Sequence, residues 1–109
     1  MENNKIESCM DSCEICAEVC EICSTENNGK PEMELSNELC ITCADACYSL
    51  VAASENSSNL DALYKKCENA CNSCATECEK HSEVRHFKEC ADACRKCAAE
   101  CKSMLEVTA

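Results

Sequence analysis

The sequence predicts an all-α protein, an antiparallel four-helix bundle with a cysteine-lined core, and three observations carry that prediction. The 109 residues include one Gly and one Pro against 46% apolar residues, so little in the chain breaks helices. The 16 cysteines recur at gaps of three and four within four segments. Short polar stretches of the length that joins antiparallel neighbours separate those segments. Trp is absent and Phe and Tyr together number three, so large side chains cannot fill a core of native density and the cysteines must be much of it. Residues 1–109 are expected to form one domain.

The first helix is expected near 5–24 and carries Cys9, Cys13, Cys16, Cys20 and Cys23, with TENNGK at 25–30 as the connection that follows. The second, near 31–54, opens on Pro31, whose fixed φ and missing N–H suit a first helical turn, and carries Cys40, Cys43 and Cys47. SENSSN at 54–59 leads to the third, near 59–79, where Ser58 followed by Asp61 reads as a capping box ahead of Cys67, Cys71, Cys74 and Cys78. KHSEVR at 80–85 is a tighter link in which Ser82 is expected to cap the last helix, near 83–105, bearing Cys90, Cys94, Cys97 and Cys101.

All twelve gaps between cysteines within these segments are 3 or 4, in strict alternation. That alternation is a heptad seam, so each helix presents its cysteines along one stripe, whereas a strand would scatter them over both faces. Four such stripes satisfy one another by facing inward, which makes a tube of thiols. The segments beginning at Cys13, Cys71 and Cys94 also share CxxCAxxC, a repeat that multiplies one kind of site. A second apolar stripe, Ile15, Val19 and Ile22 on the first helix with Leu35, Leu39 and Ala46 on the second, is expected to widen the core, a subunit interface being the alternative.

A formal charge of −11 argues against nucleic acid or an anionic membrane surface as partner, since both call for Lys and Arg to neutralise phosphates. The start, Met1-Glu2-Asn3-Asn4-Lys5, is followed by no apolar run of a secretory signal, and no segment approaches membrane-spanning length. A cytoplasmic location is therefore expected, and in a reducing compartment this cysteine count points to metal or redox chemistry before disulfides.

One or two buried cysteines are ordinary small apolar residues, but sixteen on seams are not. Leu or Ile at those positions would pack a better bundle, so the sequence gives up core stability for sulfur. Thiolates select Cu(I), Zn(II) or iron–sulfur clusters. A Zn(II) held by four thiolates leaves two net negative charges, and several such sites stacked in a dry core would repel. Cu(I) shared between bridging thiolates balances charge at about one ion per Cys, and thiolates at i and i+3 or i+4 are neighbours that can bridge within and between helices. Iron–sulfur spacing, with its loop ligands and nearby Pro, does not occur here. Mid-helix stripes dispose cysteines poorly for i,i+4 disulfides. A nucleophilic enzyme needs one thiol with a positioned base, not sixteen equivalents. The leading expectation is multiple Cu(I) ions on all sixteen cysteines, ahead of a zinc or general soft-metal thiol buffer and then a disulfide-closed scaffold.

The two ends of the tube differ. One gathers Ile6, Leu50, Leu60, Tyr64 and Met104 as an apolar plug; the other places Met33, Ser36, His81, His86 and Phe87 beside Cys23, Cys40, Cys78 and Cys90. Copper is expected to enter at the second end. His81 continues the Cys67 to Cys78 seam and is the sharper extra ligand, with a solvated loop residue as its equal alternative; for His86 and Met33 the solvated or packing role is favoured.

The run CENACNSCATECEKHSEVRHFKECADACRKCAAEC, from Cys67 to Cys101, closely resembles the bacterial copper storage proteins, as does CMDSCEICAEVCEIC in the first helix; the second helix matches more weakly. The resemblance implies a cysteine-lined four-helix bundle that stores Cu(I) in its interior without catalytic turnover, assembled as a homotetramer and exchanging copper with a donor or acceptor protein. The absence of a leader makes the chain similar to the cytosolic branch. Members of the family carry several His or Met residues where metal enters, and here only His81, His86 and Met33 are available.

Overall fold

The computed structural model describes residues 2–27, 30–55 and 60–108. Helix α1 (Glu2–Glu26) leads to a single 3₁₀ turn (Pro31–Met33) that runs into α2 (Glu34–Ser54), followed by α3 (Asp61–Glu79) and α4 (Arg85–Thr108). Each helix packs against two others, α1 on α2 and α4, and α3 on α2 and α4, which is the up-down-up-down arrangement the short connections demand. The bundle measures 42 × 22 × 18 Å, and the longest cysteine stripe, Cys9 to Cys23, covers about half its length at a rise of about 1.5 Å per residue.

The helix starts show where local chemistry sets the boundaries. Pro31 opens the 3₁₀ turn, in which Met33 N–H donates to the Lys30 carbonyl at 3.0 Å, so α2 proper starts three residues later than the cap signals indicate. Ser58, half of the expected capping box, lies outside the described residues. The expected cap at Ser82 is not made: α4 starts at Arg85, because the chain first closes a turn in which Val84 N–H donates to the His81 carbonyl at 3.0 Å, and the Val84 carbonyl then accepts from Phe87 and Lys88.

The core is cysteine flanked by alanine. All sixteen cysteines have no exposed surface, and Ala17, Ala44, Ala46, Ala75, Ala91 and Ala98 are buried beside them. Small side chains let the helices approach closely, and this corrects the expectation of a widened core. Ile15, Ile22 and Leu35 are more than half exposed, because a seam of thiols is too thin to bring the flanking positions under cover. Ala46 is buried, and Val19 and Leu39 are half-buried. On the outside, Arg95 on α4 ties α3, donating through Nε and Nη2 to Glu79 at 3.0 and 2.7 Å and through Nη1 to Asn72 Oδ1 at 3.1 Å.

Candidate metal centre

The heptad alternation puts each cysteine at a core position, and four inward seams bring the sulfurs to a few ångströms of one another. Near the α1 start Cys9 Sγ lies 3.9 Å from Cys101 Sγ and Cys13 lies 3.5 Å from Cys97. In mid-bundle Cys16 is 3.6 Å from both Cys43 and Cys94, so one α1 sulfur meets α2 and α4 at once. Further along, Cys20 is 3.7 Å from Cys90 and Cys74 is 3.7 Å from Cys40. All sixteen cysteines are free thiols in this structure.

Sets of four sulfurs, all within 4.8 Å of one another, follow one another along the axis: Cys13 with Cys47, Cys67 and Cys97; Cys16 with Cys43, Cys47 and Cys71; Cys16 with Cys20, Cys43 and Cys94; Cys20 with Cys74, Cys90 and Cys94; and Cys23 with Cys40, Cys78 and Cys90. Successive sets share members, Cys47 between the first two and Cys16 and Cys43 between the next. The tube is therefore a continuous run of soft ligands and not a row of separate four-ligand cages.

Proton affinity is divided unevenly along it. A thiol that accepts S–H bonds loses its own proton readily, whereas one that donates holds it, and burial opposes charge throughout. Cys16 falls well below the ordinary thiol range, first through its hydrogen bond with Cys20 and then through Cys43. Cys20 and Cys71 rise far above it, each first through its hydrogen bond with Cys16. Cys74 is lowered, first by Cys20, and Cys67 is lowered, first by Cys101.

At one end Leu50, Leu60, Tyr64 and Met104 are buried and Ile6 half-buried, forming the apolar plug. At the other, His81 and His86 both pack against the chain's one Phe, their ring centroids 4.7 and 4.6 Å from that of Phe87. His81 Nε2 is 3.6 Å from Glu77 Oε2, so in this structure the imidazole faces a carboxylate. Met33 is half-buried.

The sequence pattern that defines the copper storage proteins matches residues 2–106, nearly the whole helical span. The chain belongs to the copper storage protein family. Solved structures share its fold, among them the following two. One shows copper loading to a cytosolic copper storage protein from Streptomyces lividans with five coppers; it is 25% identical, with a TM-score of 0.89 over 94% of this chain and 93% of that one. The other, a histidine-to-alanine variant of Streptomyces lividans Ccsp, is also 25% identical with a TM-score of 0.89, over 95% of this chain and 94% of that one. A comparison with curated protein sequences gave no match.

In this member of the copper storage family one residue beside the thiols escaped the sequence reading. Asn27, 1% exposed, donates from Nδ2 to Cys23 Sγ at 3.6 Å while its Oδ1 is 3.0 Å from His86 Nε2. It lies in a stretch that reads as a polar connection. The signal that identifies it is spacing, since Asn27 falls four residues after Cys23 and continues the α1 seam. Ser36, Phe87 and His81 continue the other three seams in the same way.

Proposed function

We propose that this chain stores and detoxifies copper by holding many Cu(I) ions as cargo in the thiol tube, at about one ion per Cys. The proposed ligands are Cys9, Cys13, Cys16, Cys20, Cys23, Cys40, Cys43, Cys47, Cys67, Cys71, Cys74, Cys78, Cys90, Cys94, Cys97 and Cys101, joined by His81 at the histidine-bearing end once it turns away from Glu77. The observation that carries the reading is the sharing of sulfurs between successive four-sulfur sets. Bridging thiolates suit a chain of monovalent ions, because charge then balances in a core with no exposed sulfur. Zinc, the second reading, favours four ligands per ion and would leave a charge of −2 on each site.

Storage requires no catalytic turnover, since capacity is spread over all sixteen thiols. A cytoplasmic location follows the likeness to the cytosolic Streptomyces lividans protein. Exposed Ile15, Ile22, Leu35, Ile41 and Tyr48 on α1 and α2 support a homo-oligomer, a tetramer by family resemblance. A copper donor or acceptor protein is the remaining partner.

The test is anaerobic titration of the reduced protein with Cu(I) against a chromophoric competing chelator. Saturation near one copper per cysteine, with full helical signal before any metal is added, is the expected result. Saturation at four or fewer would replace storage by zinc-type sites.

A further inference from the structure

All sixteen cysteines are sealed from solvent, so copper cannot reach any sulfur in this conformation without something moving. Among the described residues, the four seam positions next to Cys23, Cys40, Cys78 and Cys90 at the ligand-bearing end are Asn27, Ser36, His81 and Phe87. Three of them are at most 1% exposed, and only His81, with 26% of its side chain accessible, reaches water. An ion captured at His81 therefore has the Phe87 ring beside it and the sulfurs behind.

We propose that Phe87 is the gate of the thiol tube and that the Asn27–His86 pair is the latch that holds it shut, so that together they set the rate, and not the extent, of Cu(I) exchange. The proposal rests on the storage reading. His86 packs on Phe87 with centroids 4.6 Å apart, and its Nε2 is tied to Asn27 Oδ1 at 3.0 Å. Asn27 is anchored in turn by its bond to Cys23 Sγ and by Asn37 Nδ2, which donates to its backbone carbonyl at 3.5 Å. The hinge is the start of α4. Phe87 N–H is held by the Val84 carbonyl at 3.1 Å, at the loosely bonded end of a helix that follows a turn. The closed state also strands the Ser36 hydroxyl, buried without a partner, a cost that opening to water relieves. At the opposite end, among the described residues, the buried Leu50, Leu60, Tyr64 and Met104 close the tube with apolar side chains.

Stopped-flow transfer of Cu(I) from its bicinchoninate complex to the reduced protein, and back to excess bicinchoninate, tests this with Phe87→Ala, Asn27→Ala and Leu50→Ala. Phe87→Ala is expected to speed both directions about tenfold or more, the effect of lowering a gating barrier, with the number of ions bound unchanged. Asn27→Ala is expected to speed them less, and to add nothing in the Phe87→Ala background, because the latch acts through the gate. Leu50→Ala opens space at the other end and is expected to leave the rates unchanged. Wild-type rates in Phe87→Ala at full capacity, or equal acceleration by Leu50→Ala, would overturn the gate. If Phe87→Ala does not fold, Phe87→Leu serves in its place with the same criteria. A wild-type protein that binds only a few ions overturns the storage reading instead, and does so in the equilibrium end point, separately from the rates.

Discussion

The sulfurs of Cys43 and Cys71 lie 3.4 Å apart across the α2–α3 interface, and both also approach Cys16 on α1, at 3.6 and 3.9 Å. A thiol in such a cluster has several equivalent neighbours, so removing one leaves ligands that can close around the gap. Cys43→Ala is expected to lower copper capacity by about one or two ions, the number a single bridging thiolate touches, while the bundle stays helical. The titration end point and far-ultraviolet circular dichroism check this. Loss of all binding would mean that one site governs the rest.

Loading is expected to release protons and to tighten as pH rises. Cys20 and Cys71 are held protonated well above neutral pH, first by their hydrogen bonds with Cys16, so a copper ion must displace their protons. Acid supplies those protons and opposes binding; alkali removes them and favours it. Proton release is therefore expected to accompany copper uptake throughout the titration. Titration in weakly buffered solution with a pH indicator reads the protons directly. Affinity that stays flat between about pH 6 and pH 8 would contradict it.

The bundle and its thiol interior were legible because the cysteine alternation is both the secondary-structure signal and the core signal, and one pattern fixed which face of each helix points inward. Positions that depend on competition were less legible. Ser82 has the chemistry of a cap, but the turn closed by Val84 and His81 satisfies the backbone first. Ile15 and Ile22 read as core, yet a helix surface faces the interior only as far as its neighbours are wide, and cysteine and alanine make narrow neighbours. Asn27 was hidden by its setting before Gly29, although the seam spacing reaches it. The pairing of His86 with Asn27 joins residues 59 apart in sequence, and no local pattern carries that.

Tyr64 provides a spectroscopic check on the packing at the apolar end, and Tyr48 on its surface contact with Glu21. Burial, reinforced by negative charge on Cys9, pushes Tyr64 up to about 12, and the hydrogen bond to Glu21 raises the exposed Tyr48 to about 12. A raised acid contributes stability that is present below its unfolded value near 10 and lost as pH climbs toward the folded value, so the plug is expected to loosen between about pH 10 and pH 12. Absorbance at about 295 nm after a rapid pH jump, before unfolding intervenes, should give a midpoint near 12 in the native protein and near 10 in denaturant. A native midpoint near 10 would show that neither phenol is held as described.

Charge should govern how copies of the chain associate. Lys5 and Lys30 are the only cations in residues 1–55, and Glu14, Glu18, Glu21, Glu38 and Asp45 surround the exposed Ile15, Ile22, Ile41 and Tyr48. The apolar side chains favour burial against a second copy, but the carboxylates around them repel their counterparts across the same contact. Salt shortens the reach of that repulsion from about 20–30 Å near 0.01–0.02 M to under about 5 Å near 0.5 M and strengthens apolar association, so the oligomer should be favoured at high ionic strength. Light scattering after size exclusion at the two salt concentrations measures the mass. Ile22→Glu, placed at the most exposed of these side chains, should shift the population toward monomer at both. A mass that falls with salt would mean the contact is made by ion pairs instead, and a mass unaffected by Ile22→Glu would place the interface on another face of the bundle.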